Sequence, residues 1–278
     1  MTTTPSDLMG TAAPVRHDLA PSPAPARAVD PIHGRRPSGG RRERGLTHET
    51  LVYLGAGIPL AFVFSLTPLL GFMGWFLASL FHEVGHSAMA WFTGHPSVPA
   101  IALTGNAVAV HGEPLTFLRL VVVGSVVTLS VQLLRGSRRV AVLAAFGVLY
   151  PLMLWTRLGS IAFLVAGHLG ELAAASLCLW RAADGEACHS RAERVLYAML
   201  GWFLCGDNIL LSFGLAFSSS ARAEYETNGS FGLVNDYLRL ANHELGASIE
   251  RVGFAMGLIA VAVPLLTLTA FALTRSRA

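Results

Sequence analysis

The chain has 278 residues, of which 53% are hydrophobic and only 13% charged, and its formal net charge is +3. Charges this sparse, gathered between long apolar runs rather than spread through them, exclude an ordinary soluble domain and mark a polytopic membrane protein. Every basic residue is an arginine, and so small a positive surplus gives no argument for nucleic acid.

Residues 1 to 46 are rich in Pro, Ala, Ser, Gly and Arg and hold no apolar run, so they are expected to form a disordered tail. The stretch contains no hydrophobic segment of a cleavable signal peptide, which leaves membrane insertion to the first spanning helix. Counted against the roughly 20 residues needed to cross a bilayer core, the apolar runs fall at about 51 to 67, 69 to 93, 114 to 134, 140 to 156, 158 to 180, 195 to 217 and 252 to 273. Pro68 parts the first two and Arg157 the fourth from the fifth; the short fourth run is also compatible with a re-entrant piece. Between the second and third, residues 94 to 113 carry β-branched and small residues around a TGN turn, which predicts a short β hairpin. Residues 218 to 250 are polar, with an interfacial helix expected from near Asn235. The expected fold is therefore an all-α polytopic membrane domain over residues 47 to 278, with about seven transmembrane helices and a hairpin after the second.

Arginines decide the orientation poorly. Arg35, Arg36, Arg41, Arg42 and Arg44 before the first run argue for a cytoplasmic N-terminus. If every run spans, the RGSRR stretch at 135 to 139 then falls on the opposite side, against the same rule. Cys178, Cys188 and Cys205 follow no metal or redox spacing and read as packing residues.

Ionisable residues inside a bilayer cost a few kcal/mol each, so their positions carry the most information. They are His82, Glu83 and His86 in the second run, His168 and Glu171 in the fifth, and Asp207 in the sixth. The string FHEVGH, residues 81 to 86, matches H-E-x-x-H. On a helix, positions i and i+4 share a face, so the two imidazoles can converge on one zinc ion. Glu83, about a hundred degrees round the helix, can act as general base on a water whose pKa the zinc lowers. The competing reading is a pair of packing histidines and a buried carboxylate paired with arginine, for which only Arg119, near a membrane edge, is available.

The stretch LFHEVGHSAMAWFTG resembles the site-2 protease family of intramembrane zinc metalloproteases, and VPAIALTGNAVAV resembles the short membrane-associated β segment that follows this helix in that family. The resemblance covers about 45 residues. It implies hydrolysis of peptide bonds in a membrane-anchored protein substrate, with zinc as cofactor and the lipid bilayer as surroundings. It also implies a third zinc ligand, an Asp on a later helix, although the chain contains no LDG string.

Asp207, in WFLCGDNILL, is the first candidate for that ligand because no other Asp falls inside an apolar run. His168 and Glu171, at i and i+3 in VAGHLGELAA, are the alternative, offering a ligand and its supporting partner together. His95 and His111 flank the hairpin and read as interfacial residues, and Asn235 and Asp236 read as a helix N-cap. His243 and Glu244 have no second histidine at i+4 and do not make a metal site. Phosphate loops, nucleophile elbows and basic aromatic patches are absent, so neither nucleotide chemistry nor nucleic-acid binding is expected. Competing functions are a transporter or channel built on the same His, Glu and Asp cluster, and a protease relative without activity; a di-metal oxidase would need more histidine boxes.

Overall fold

Hydrocarbon offers the backbone no hydrogen-bond partners, so a chain that crosses it must satisfy its peptide groups within each segment. The computed structural model describes residues 46–102, 107–186, 188–227 and 235–276, all within the unit Glu43–Ala278. The expected tail, save Leu46, and the expected TGN turn lie outside the described residues.

Each of the seven apolar runs forms a helix. They are α1 (His48–Leu66), α2 (Pro68–Thr93), α3 (Thr116–Leu133), α4 (Ser137–Trp155), α5 (Leu158–Asp184), α6 (Arg191–Phe217) and, at the end, α9 (Ile249–Ser276). Six of them are long and apolar enough to cross a membrane, and α2, diluted by its polar FHEVGH string, is not among those six. The polar connection after α6 carries α7 (Ser219–Thr227) and α8 (Asp236–Arg239), the latter running on as a π-helix over Leu240–Leu245. Between α2 and α3 lies the expected hairpin, β1 (Ser97–Ile101) antiparallel to β2 (Ala107–His111), with Ser97 opposite His111 and Ile101 opposite Ala107.

Local chemistry sets the helix ends. Thr47 caps α1 by accepting from Thr50 N at 3.1 Å, and Pro68 opens α2 at a position where its missing N–H costs nothing. Gly94 ends α2 in the left-handed region at φ 94°, and Leu115 N then donates to its carbonyl, so α3 starts beside the end of α2.

α5 and α6 form an antiparallel pair: Arg194 Nε donates to Ala182 O at one end, Gly201 sits against Ala175 and Leu179, and Asn208 meets Glu171 farther along. α2 runs antiparallel to α5, since His82 meets Glu171 and His86 meets Phe163. α1 advances along α6 in the same sense as α6 itself, from Thr50 beside Arg194, through Gly57 against Ala198, to Phe64 against Phe203. Both α1 and α2 are thus parallel to α6 and advance toward the same end of the bundle. Thr67 and Pro68 therefore form a kink between two helices that run on in one direction, and of the seven expected spans six are long and apolar enough to cross a membrane.

Two buried clusters hold the bundle. One gathers Leu54, Leu172, Leu179, Phe203 and Leu204 where α1, α5 and α6 meet. The other packs Leu164, Leu215, Val252 and Met256 against Tyr237, Leu240 and Ala241, so the segment after α7 is fastened into the bundle by its own apolar side chains. α3 and α4 stand beside this core, with Ser130 and Tyr150 their only buried residues; Tyr150 Oη donates to Phe92 O at 3.0 Å.

Candidate metal centre

α2 and α5 cross at small residues. A methyl group on Gly85 would strike the backbone of Ala166, and one on Gly170 would lie 2.5 Å from Phe81 O, so only glycine lets the two backbones approach this closely. The crossing places the three motif residues opposite His168 and Glu171.

His82 Nδ1–H donates to Glu171 Oε1 at 2.7 Å, and His86 Nδ1–H donates to Phe163 O at 2.8 Å. A carboxylate and a carbonyl can only accept, so each Nδ1 carries a proton, and in the neutral ring Nε2 then presents its lone pair. Those two Nε2 atoms are 3.0 Å apart, and Asp236 Oδ2 lies 3.0 Å from the first and 2.9 Å from the second. With both rings neutral these three atoms are all acceptors, and a cation among them, a proton or a metal ion, satisfies all three. Zinc fits the donor set: ligands about 2.0–2.1 Å from a tetrahedral ion stand about 3.3 Å apart, a few tenths wider than here. The anchoring of each imidazole through Nδ1 is the support that zinc-binding histidines ordinarily have.

Asp236 was read from the sequence as a helix cap. Asn235 does occupy the N-cap position of α8, but its side chain makes no capping bond and donates to Tyr225 O instead. Asp236 is held in place by the next residue: Tyr237 is almost fully buried, its hydroxyl is 2.9 Å from Ser212 Oγ on α6, and its ring lies over His168.

Asp207, the first sequence candidate for the third ligand, is corrected by this arrangement. It lines the same cavity but is not among the ligand atoms that come together, and Asp236 stands in that place. One step along α6 rotates a side chain by about 100°, and it is Asn208, buried, that turns toward the centre. Asn208 Nδ2 donates to Glu171 Oε2 at 2.6 Å and to Leu204 O at 3.1 Å, which leaves its Oδ1 to accept from His168 Nδ1–H at 3.2 Å. Glu171 thus orients His82 as a supporting partner, and with His168 and His82 it makes a second group of ligand-type atoms within 4.8 Å. The 2.7 Å separation of His82 Nδ1 and Glu171 is that of a hydrogen bond, so we read this second group as support for the first.

Glu83 is buried next to the two histidines and, with them, lines a cavity of about 420 Å³ whose wall includes Ala107, Val108 and Ala109 of β2. The hairpin is fixed over α2 by Trp91 Nε1, which donates to Ser97 O at 2.7 Å, and by Ser97 Oγ, which donates to Ser87 Oγ at 3.2 Å. His95 bonds Gly112 O, and neither it nor His111 belongs to a ligand group; His111 lines the cavity with its ring against Phe163. The three cysteines are free. Set beside family models, curated proteins and solved structures, the chain matches none of them.

Proposed function

We propose that the protein is an intramembrane zinc metalloprotease that cuts a peptide bond of a membrane-anchored substrate, with His82, His86 and Asp236 as the zinc ligands and Glu83 as general base. The observation that carries the proposal is the convergence of His82 Nε2, His86 Nε2 and Asp236 Oδ2 within 3.0 Å of one another, both imidazoles anchored through Nδ1, beside a buried carboxylate that is itself not one of them. Zinc held by His82, His86 and Asp236 would supply a Lewis acid that makes water more acidic and polarises a carbonyl. Glu83, one residue after His82 and on the cavity wall, takes the proton of the attacking water and returns it to the leaving amine. The substrate must leave its helical hydrogen bonds to expose a carbonyl, and the cavity between α2, β2 and the Asp236 segment has room for an unwound stretch of chain. Glu171 and the Phe163 carbonyl keep the imidazoles turned toward the ion through the cycle.

A transporter could bind the same metal, so binding alone does not separate the two readings. Glu83→Gln keeps the shape but cannot accept a proton. Reconstituted with a model transmembrane substrate, it should retain zinc and lose cleavage by at least about a hundredfold, in line with general-base contributions of that order. Cleavage at the unsubstituted rate would defeat the proposal.

A further inference from the structure

Asp207 has no role in the chemistry above, and that chemistry makes no use of His168 Nε2. Asp207 lies well inside α6, seventeenth of its 27 residues, and is exposed to the cavity. Its carboxylate has no hydrogen bond or ion pair among the described residues, although Arg239 reaches the same wall. An unpaired carboxylate within a membrane-spanning helix costs a few kcal/mol on insertion scales, and such a residue is retained where it meets a partner.

His168, on the same wall, is 4% exposed, and its Nε2 is buried with no partner among the described residues. Asn208 settles which kind of atom it is: its amide nitrogen is spent on Glu171 and Leu204, so its oxygen accepts the Nδ1 proton of His168. In the neutral ring Nε2 is then an acceptor. Two acceptors without a partner among the described residues, the Asp207 carboxylate and the buried His168 Nε2, thus belong to residues that line one cavity beside the candidate catalytic centre.

We propose that Asp207 and His168 form a recognition subsite for a cationic side chain of the substrate, an arginine or lysine near the bond to be cut. This rests on the protease reading and extends it to specificity. A guanidinium carries five donors and no acceptor, and an ammonium three, so either supplies what both groups lack. An arginine inside a membrane segment is itself costly in lipid, so transfer into an acidic cavity gains on both sides.

The test is a binding measurement on the full-length Glu83→Gln protein in detergent, loaded with zinc, which holds a substrate without consuming it. The probes are a fluorescent single-span peptide carrying one arginine and its twin with citrulline, which has the same shape without the charge. The arginine peptide should bind about tenfold tighter, as expected for a charged hydrogen bond. Adding Asp207→Asn should bring the two peptides to within about twofold of each other, with zinc content unchanged, and His168→Leu should lower the preference by at least about threefold. Equal binding of the two peptides before that change, an undiminished preference after it, or loss of zinc from Asp207→Asn would each overturn the subsite. Failure of the protease reading looks different: the protein with Glu83 intact leaves the arginine peptide uncut while the charge preference persists.

Discussion

Gly167→Ala puts the metal centre to its most direct test, because the substitution adds one methyl group and replaces no ligand. A Cβ at this position would lie 2.5 Å from His86 Nε2 and 2.5 Å from His82 Cε1. Ordinary contact between such atoms begins at about 3.5 Å, so the overlap is about 1 Å with each ring. α5 cannot slide away to relieve it, since Gly170 and Gly85 already bring the two backbones together and Glu171 is bonded to His82. The rings must turn, and turning them breaks the convergence on Asp236. Overpacking of this kind costs about 1–3 kcal/mol, which for a domain of this size lowers Tm by about 2–12 °C. We expect a folded protein whose zinc affinity, measured by competition with a chelator, falls at least about a hundredfold, the upper end of what a lost supporting interaction costs. Gly124→Ala is the control, because nothing lies within 4 Å of the added methyl on α3. Unchanged zinc affinity in Gly167→Ala would refute the placement of the ion between His82 and His86.

The remaining expectations concern the groups around that centre. Asp236→Ala should purify without zinc while Asp207→Ala retains it, as measured by metal analysis; the reverse outcome would return the ligand to α6. Glu171→Gln, which weakens the anchor of His82 without removing a ligand, should lower zinc affinity by about 10- to 100-fold, read by the same chelator competition. Tyr237→Ala should cost about 3–5 kcal/mol and release the metal with the segment it fastens, whereas Tyr237→Phe should lose about 1 kcal/mol and keep the ion; thermal unfolding followed with metal analysis separates the two. In a cysteine-free background, Thr47→Cys and Gly136→Cys should react with an impermeant thiol reagent from the same face of the membrane, whereas an additional crossing by α2 would put them on opposite faces.

How much of the site could be read in advance depended on how far apart its parts lie in the chain. His82, Glu83 and His86 were legible because helix geometry relates i to i+4 within one turn and a half, and their neighbours Gly85 and Ala90 are as small as the close crossing needs. Glu171 and His168 were legible as polar residues within an apolar run, and their role as partners of the first histidine follows from the i, i+3 spacing that puts both beside His82. Asp236 was not legible. It follows His86 by 150 residues, and a search confined to charges inside apolar runs passes over a carboxylate that arrives from a polar connection. The signal available was in its neighbours: Tyr237, Leu240 and Ala241 form an apolar face that pulls this stretch into the bundle, and a buried face beside an acid gives that acid somewhere to point.

The fold divides along the same line. Hydropathy places helices well because each is a local property of about 20 residues, and every expected run is a helix here. It does not give direction, which depends on what a helix packs against. The parallel course of α1, α2 and α6 follows from pairs such as Gly57 with Ala198 and Gly74 with Phe203, which no window of hydropathy contains. That course also bears on the arginines. Among the described residues, Arg135, Arg138 and Arg139 at the α3–α4 turn lie at the same end of the bundle as Thr47 at the start of α1 and as Arg181, Arg191 and Arg194 at the α5–α6 turn. By the positive-inside rule, an end rich in arginine is the one expected on the cytoplasmic side. The hairpin and the Asp236 segment belong to the opposite end, so the metal centre would open away from the arginine-rich face, a consequence that the Thr47 and Gly136 labelling experiment can test together with the number of crossings.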